Sequence, residues 1–188
     1  RKELSGRMTY TGEERTPLDL SGLPEILDGF RQEGVQAVAI SFLHSYANTA
    51  HEIATLAEVQ RLWPEISVVS SHQITREWRE YERTNTAVLS AYIQPVAARY
   101  LHNLDAGLKS RGFKGSPFIM QSNCGVDSLA ATSKTPITIV ESGPASGFWG
   151  AAELGKLIGE PNVLALDIGG TTAKCSLIEN GEVRIMTD

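Results

Sequence analysis

Asp167-Ile168-Gly169-Gly170-Thr171-Thr172 lies between two short apolar runs, Val163–Leu166 before it and Cys175–Ile178 after it. Two runs of strand length joined through paired glycines predict a β-hairpin with a bare tip. That tip suits a phosphate. Gly169 and Gly170 let backbone N–H groups approach phosphate oxygens and form a small anion-binding nest. Thr171 and Thr172 add hydroxyl donors. Asp167 repels phosphate, so its chemistry points to holding Mg²⁺, directly or through water, or to orienting an attacking group. The competing reading is a plain glycine hairpin whose aspartate satisfies turn amides. Two other nucleotide motifs are absent. Gly155-Lys156 is followed by Leu157, which excludes G-x-x-x-x-G-K-[ST], and no strand leads into G-x-G-x-x-G.

Downstream of this loop, Asn180-Gly181 signals a type I′ hairpin, with Val183–Met186 as a third strand. Upstream, Ile137–Val140 reads as a strand leading into Glu141-Ser142-Gly143-Pro144. Pro144 suits the first position of a helix running to about Ile158, where Gly159 stops it. Gly147, Gly150, Ala151, Leu154 and Gly155 fall close to one face of that helix. Glycine weakens a helix by roughly 1 kcal/mol relative to alanine, so several together imply close packing against a backbone or a ligand. The helix N-terminus is itself a candidate nucleotide contact.

The rest of the chain alternates strands and helices. Residues 1–17 are polar and turn-rich, and an extended segment at Pro17–Ser21 leads to a helix near Pro24–Gln32, stopped by Gly34. Val35–Leu43 is a nearly continuous apolar run, as in a strand covered on both faces. Thr49-Ala50-His51-Glu52 has capping-box spacing and starts a helix to about Leu62. Pro64 ends it, and Ile66–Ser70 is the next strand. Strand–helix–strand order predicts α/β architecture with a parallel sheet. A long helix spans about Arg76–Lys109, with apolar positions from Val88 to Leu108 and a kink or break at Pro95. Gly112 marks its end, Pro117–Gln121 is a strand, and a polar loop follows from Ser122 to Asp127.

The composition is that of a soluble globular protein: 41% of the 188 residues are hydrophobic and 21% charged, enough for a real core. A net charge of -5 with mixed signs excludes the basic patch of a nucleic-acid binder. No apolar run reaches the roughly 18 residues of a membrane span, and no signal peptide opens the chain. A cytoplasmic setting is the default expectation. Cys124 and Cys175 give no disulfide framework. Cys124 is a candidate nucleophile only if a base lies near in space, and Cys175, on a strand, is expected to be buried. His44, His51, His72 and His102 lack the spacing of a helical zinc site. The run Arg76, Arg79, Glu80, Glu82, Arg83 reads first as a solvated or ion-paired face. Ser142-Gly143-Pro144 lacks the G-x-S-x-G of a hydrolase elbow.

Strand–glycine turn–strand loops of this kind resemble those of the actin and hexokinase type of ATPase. The resemblance narrows through Glu80-Tyr81-Glu82-Arg83-Thr84, Met120-Gln121-Ser122-Asn123, Ser142-Gly143-Pro144-Ala145-Ser146-Gly147 and the Asp167 loop, which occur in one order at family-like spacing. From about Gly34 to Gly181 the chain is similar to the hydantoinase A/5-oxoprolinase family. Two positions depart from it. Cys124 stands where the family usually has glycine, and Lys174 where it commonly has aspartate; a cation there could help bind phosphate or displace a metal.

The resemblance implies an α/β fold that is part of an actin-like (ribonuclease H-like) ATPase domain, with strand–helix–strand units plus a C-terminal β-hairpin. Residues 1–75 would be the C-terminal part of a first lobe, and 76–188 the start of the catalytic domain. The absent initiator Met and the strand pair at the chain's end fit a piece of a longer protein. The implied activity is ATP-dependent hydrolysis of a cyclic amide, with the fragment alone inactive. Asp167 would be the catalytic and Mg²⁺-holding residue, and Gly169, Gly170, Thr171, Thr172, Gly143 and Gly147 would bind ATP. Glu82 and Arg83 would support the interlobe region or the substrate end. Expected partners are the cyclic amide, the missing lobe of the same chain and a second, hydantoinase B-type subunit, with no nucleic acid and no membrane. An ATP-dependent ketone carboxylase subunit and a non-catalytic actin-like nucleotide-binding scaffold are the alternatives.

Overall fold

The polar N-terminal stretch pairs with itself. In the computed structural model, which describes residues 1–184, β1 (Ser5–Met8) and β2 (Glu14–Asp19) form an antiparallel hairpin. The segment expected to be turns therefore contributes a strand on each side of its Thr9–Glu13 turn. Helix α1 (Leu23–Gln32) follows and ends as its glycine requires. Gly34 has φ +71, its N–H bonds Arg31 O, and the Val35 N–H bonds Phe30 O, the paired bonds of a Schellman stop.

Two parallel strands organise the first compact unit, which comprises Arg1–Leu108 with Ser133–Ile137. They are β3 (Ala37–Ile40) and β4 (Ser67–Ser70), joined by α2 (Ala50–Leu62), the expected strand–helix–strand unit. A short α3 (Ser71–Ile74) and the long α4 (Glu80–Ser110) come next. Alternation along β3 explains why its run is apolar throughout. Val38 and Ile40 join Leu23, Leu27 and Val59 in one core cluster, while Ala37 and Ala39 pack with Val69, Ala87 and Ala91 in another.

The expected side-chain cap at Thr49 and a division of the long helix at Pro95 are not found here. Thr49 makes no side-chain cap; Asn48 Oδ1 accepts the Ala50 N–H instead, because the Glu52 carboxylate is drawn into the core. Helix α4 continues through Pro95 as one element of 31 residues. Its buried face is Arg83, Ala87, Ser90, Ala91 and Leu101. Val88, Leu89, Tyr92, Val96 and Tyr100 are exposed. Small residues, not the larger apolar ones, are what the alanines of β3 admit.

The second unit comprises Lys109–Thr132 and the residues from Thr138 onward. Gly112, at φ +82, ends α4. A hairpin of β5 (Phe118–Met120) and β6 (Val126–Ser128) follows, then α5 (Leu129–Thr132). Ile137–Val140, expected to be a strand, lies instead in a single 3₁₀ turn at Pro136–Ile139. The Thr138 carbonyl accepts from the Ser122 N–H and hydroxyl, which fixes this segment without a ladder. Helix α6 (Ser142–Ile158) stops at Gly159, φ +79. Pro144 is its third residue, not its first, but still within the turn whose N–H groups have no helical acceptor.

Three antiparallel strands complete this unit: β7 (Val163–Ile168), β8 (Ala173–Glu179) and β9 (Glu182–Val183). Asn180 (φ +53) and Gly181 (φ +78) make the left-handed pair a type I′ turn needs. The expected third strand is described only to Val183; Met186 lies outside the described residues. Val163, Ala165, Asp167, Lys174, Ser176 and Ile178 share one sheet face, where Val163 packs against Gly155 of α6 and Ile178 is fully buried. Leu164, Leu166, Ile168 and Leu177 are exposed on the other face. Cys175 is on that exposed face as well, not buried as expected.

Candidate functional site

The glycines of α6 divide into two kinds. A Cβ on Gly155 would sit 2.6 Å from Glu160 O and 2.9 Å from a Val163 methyl, so this glycine permits close helix–strand packing. A Cβ on Gly143, Gly147 or Gly150 would meet no atom within 4 Å. Gly143 and Gly147 instead line an open groove of about 580 Å³ with Pro144, Phe148 and Ala151, opposite residues 163–167 of β7. The N-terminal half of α6 is thus bare without being packed, and Asp167 closes the far wall.

Asp167 is exposed, and among the described residues its carboxylate has no hydrogen-bond or ion-pair partner. The plain-turn reading, in which it satisfies turn amides, therefore does not describe this loop. The loop departs from expectation in another way. Neither Gly169 nor Gly170 has positive φ, and the Gly169 N–H is engaged by Thr172 O at 2.9 Å. A nest needs alternating right- and left-handed residues, so no preformed nest exists here. Gly170, Thr171 and Thr172 remain exposed at the tip, where bare backbone and two hydroxyls face solvent. Asp167 and Gly143/Gly147 converge on one groove; Gly169, Gly170, Thr171 and Thr172 stand at the loop just beyond Asp167.

Directly across the ladder from Asp167 is Lys174. Its ammonium is ion-paired with Glu141, the residue that caps α6 at φ +65. Cys124 occupies the turn between β5 and β6 at φ +67, its Sγ 3.8 Å from the Ala145 carbonyl. This left-handed conformation is one that glycine adopts at less cost than cysteine. No base contacts the thiol among the described residues.

A metal centre built wholly by protein is not assembled: among the described residues no three His, Cys, Asp or Glu side chains converge. One free carboxylate is nevertheless a fitting donor for Mg²⁺, which keeps several waters and takes further oxygens from substrate phosphates.

A second polar constellation went unread in the sequence. At the C-terminal ends of β3 and β4, fully buried Glu52 accepts from Phe42 N–H (2.9 Å), Ser71 Oγ (2.6 Å), Ser70 Oγ (2.8 Å) and His72 N–H (2.8 Å), with His72 Nδ1 also at 2.8 Å. Burial pushes the Glu52 carboxyl upward, but the bonds from Ser71, from the His72 and Phe42 amides and from the His72 ring together hold it below the usual glutamate range. Ser71 Oγ also accepts from Arg83, whose guanidinium is buried and bonds Phe42 O, Glu77 O and Glu80. Arg83 is therefore no solvated surface charge. Glu82 is, facing Arg79 at 3.8 Å. His51 and His44 are paired separately with Glu14 and with Tyr46 and Glu80. The signal available was a cluster of small polar residues, Ser41, Ser45, Ser70 and Ser71, at strand ends where parallel sheets expose their functional edge.

Residues 83–188 match the hydantoinase/oxoprolinase family, and residues 1–62 match the hydantoinase/oxoprolinase N-terminal region. The chain belongs to the hydantoinase/oxoprolinase family. It is 34% identical over its whole length to caprolactamase subunit alpha of Pseudomonas jessenii, spanning 27% of that chain. Among solved structures, nucleotide-free acetone carboxylase superposes with a TM-score of 0.83 at 30% identity, over 95% of this chain and 26% of that one. The ATP-dependent caprolactamase of P. jessenii gives 0.81 at 35% identity, over 93% and 25%. The α/β fold is therefore that of the family. The chain spans about a quarter of the length of caprolactamase subunit alpha and 12% of that of the 5-oxoprolinase 1 of Arabidopsis thaliana, which it also matches. No helix among the described residues is long and apolar enough to cross a membrane.

Proposed function

We propose that the intact protein hydrolyses a cyclic amide at the expense of ATP, and that the groove between α6 and β7 receives the nucleotide's phosphates. The observation that carries this reading is the unpacked face at Gly143 and Gly147 opposite Asp167, whose carboxylate has no partner among the described residues. A helix N-terminus favours anions, and side chains there would keep them out. Thr171 and Thr172 supply hydroxyl donors and Gly170 a bare backbone at the neighbouring loop. Asp167 would hold Mg²⁺, which when bound offsets phosphate charge. Transfer of the terminal phosphoryl to the amide oxygen removes amide resonance, and water adds to the ring carbon. The ring C–N bond then breaks with the protonated nitrogen leaving as the amine, and a second water hydrolyses the resulting acyl phosphate to carboxylate and phosphate.

In this reading the chain is part of an actin-like (ribonuclease H-like) domain, with 1–75 ending its first lobe and 76–188 beginning the catalytic one. The upstream lobe closes the nucleotide cleft, and a second, hydantoinase B-type subunit is the expected partner. A ketone carboxylase subunit is the alternative, favoured by the superposition on acetone carboxylase. A non-catalytic scaffold would bind nucleotide without turnover. The test is calorimetric titration of Mg-ATP into the intact protein, followed by product analysis with hydantoin, 5-oxoproline and acetophenone-like substrates. Ring-opened product supports hydrolysis and carboxylated ketone supports the alternative. A folded protein that binds no Mg-ATP ends the phosphate-loop reading.

A further inference from the structure

Lys174 has a use that neither the fold nor the proposed reaction assigns. It lies on the sheet face that α6 covers, directly across the ladder from Asp167, which lines the groove. Its side chain is one-third exposed, beside the end of β7 that carries Asp167. Its partner Glu141 is more than half exposed and adopts a left-handed backbone conformation, unusual for glutamate, at the residue before α6. Asp167, the carboxylate nearest Lys174 in the ladder, takes no part in the pair. A cation beside the groove-lining Asp167 is thus committed to the carboxylate of the residue that precedes α6.

We propose that Lys174 is a contact for the nucleotide's phosphates and that Glu141 sequesters it until they arrive. The inference rests on the groove being the nucleotide site. An exposed ion pair is worth little, whereas an ammonium facing several phosphate charges forms stronger, charge-assisted bonds, so the exchange favours phosphate. Glu141 then acts as a competing anion. It sets the threshold phosphate must exceed and disfavours ligands carrying a single phosphate. Leaving Glu141, Lys174 would also release the entry to α6, where Gly143 and Pro144 begin the groove wall.

A structural tether makes a different forecast from sequestration. If the pair only fastens α6 to β8, removing either partner breaks the same bond, and Glu141→Gln and Lys174→Met change nucleotide affinity in the same direction. If Glu141 competes with phosphate, the two act in opposite directions. Calorimetric titration of Mg-ATP, Mg-ADP and AMP into the intact protein decides between them. Lys174→Met is expected to weaken Mg-ATP binding by roughly tenfold and to flatten the preference for ATP over AMP. Glu141→Gln is expected to tighten it by about two- to fivefold, the worth of an exposed pair. Should Lys174→Met not fold, Lys174→Gln takes its place, since it also removes the charge and breaks the pair: opposite signs in Lys174→Gln and Glu141→Gln support sequestration, and equal signs overturn it. Equal or same-sign changes, or no change, overturn the proposal while wild-type binding keeps the groove as the site. A wild-type protein that binds no Mg-ATP overturns both.

Discussion

Replacing Glu52 with glutamine tests whether the buried carboxylate holds the ends of β3 and β4 together. The change conserves volume but turns one acceptor oxygen into a donor. Oε1 accepts from the Phe42 amide and Ser71, and Oε2 from the His72 amide and Ser70. Whichever way the new amide turns, its NH₂ faces a backbone N–H. The serine hydroxyls and the His72 ring can reverse their roles, but the backbone donor cannot. A buried donor without an acceptor costs about 1–3 kcal/mol, and the remaining bonds lose their charge assistance. Glutamine escapes the cost of burying a charge, which offsets part of this, and a net loss of about 2–3 kcal/mol follows.

Because the protein has more than one unit, a single unfolding free energy is the wrong observable. Amide hydrogen exchange reports local opening directly. In Glu52→Gln, exchange across residues 38–46 and 67–75 is expected to accelerate by about 30- to 150-fold at neutral pH, the equivalent of that loss. The pH dependence has a definite sign. Glu52 has a lowered folded-state value, so its contribution is complete above the ordinary glutamate range and disappears as pH falls through the folded value. The wild-type protein should therefore lose local protection on acidification through and below that range, and the variant much less. Equal protection in both proteins at neutral pH would refute the claim that the carboxylate organises these loops.

Three further outcomes separate the roles of small residues in the second unit. Gly147→Leu should leave α6 folded, and even stabilise it by about 1 kcal/mol, because a leucine there gains helix propensity and meets open space; Mg-ATP affinity, by calorimetry, should fall at least tenfold as the groove fills, and unchanged affinity removes the groove from the site. Gly155→Ala should do the reverse, costing about 1–3 kcal/mol by hydrogen exchange in α6 and β7, since its methyl would lie 2.6 Å from a carbonyl oxygen. Cys124→Gly should stabilise the β5–β6 turn by about 0.5–1 kcal/mol, the left-handed strain outweighing glycine's greater freedom when unfolded; a destabilised turn would mean that the thiol contact with Ala145 matters more than the strain.

The elements easiest to read were those whose signals are local. Gly34, Gly112, Gly159 and Asn180-Gly181 act through their own backbone, and each stands in the left-handed region at the end its position announced. Residues 137–140 failed because β-branched propensity describes a strand that has a neighbour to pair with. Here the carbonyl of Thr138 is claimed by Ser122, a residue 16 positions earlier. The face of α4 failed for a similar reason. Periodicity marked the large apolar positions, but the surface awaiting the helix is made of Ala37, Ala39 and Val69, and only alanine and serine fit closely against it. Capping-box spacing misled at Glu52 because the same carboxylate had a better set of donors across the sheet.

The candidate site shows the same division between local and distant causes. Asp167 and the glycines could be named because phosphate chemistry restricts which residues can surround a phosphate. Which of those glycines are packed could not be read, since close packing and an open helix face call for the same residue. The geometry separates them by a simple criterion: at Gly155 the space a side chain would fill is occupied, and at Gly143 and Gly147 it is vacant. Nothing in residue type distinguishes these cases, because the difference lies in Glu160 and Val163, which the chain brings back against only the last turn of α6. Lys174 illustrates the converse. As a departure from the family pattern it could be read as an aid to phosphate or as a rival to a metal. Its pairing with Glu141 supplies what both readings lacked, a nearby anion that already engages the cation, so that either role begins with breaking that pair.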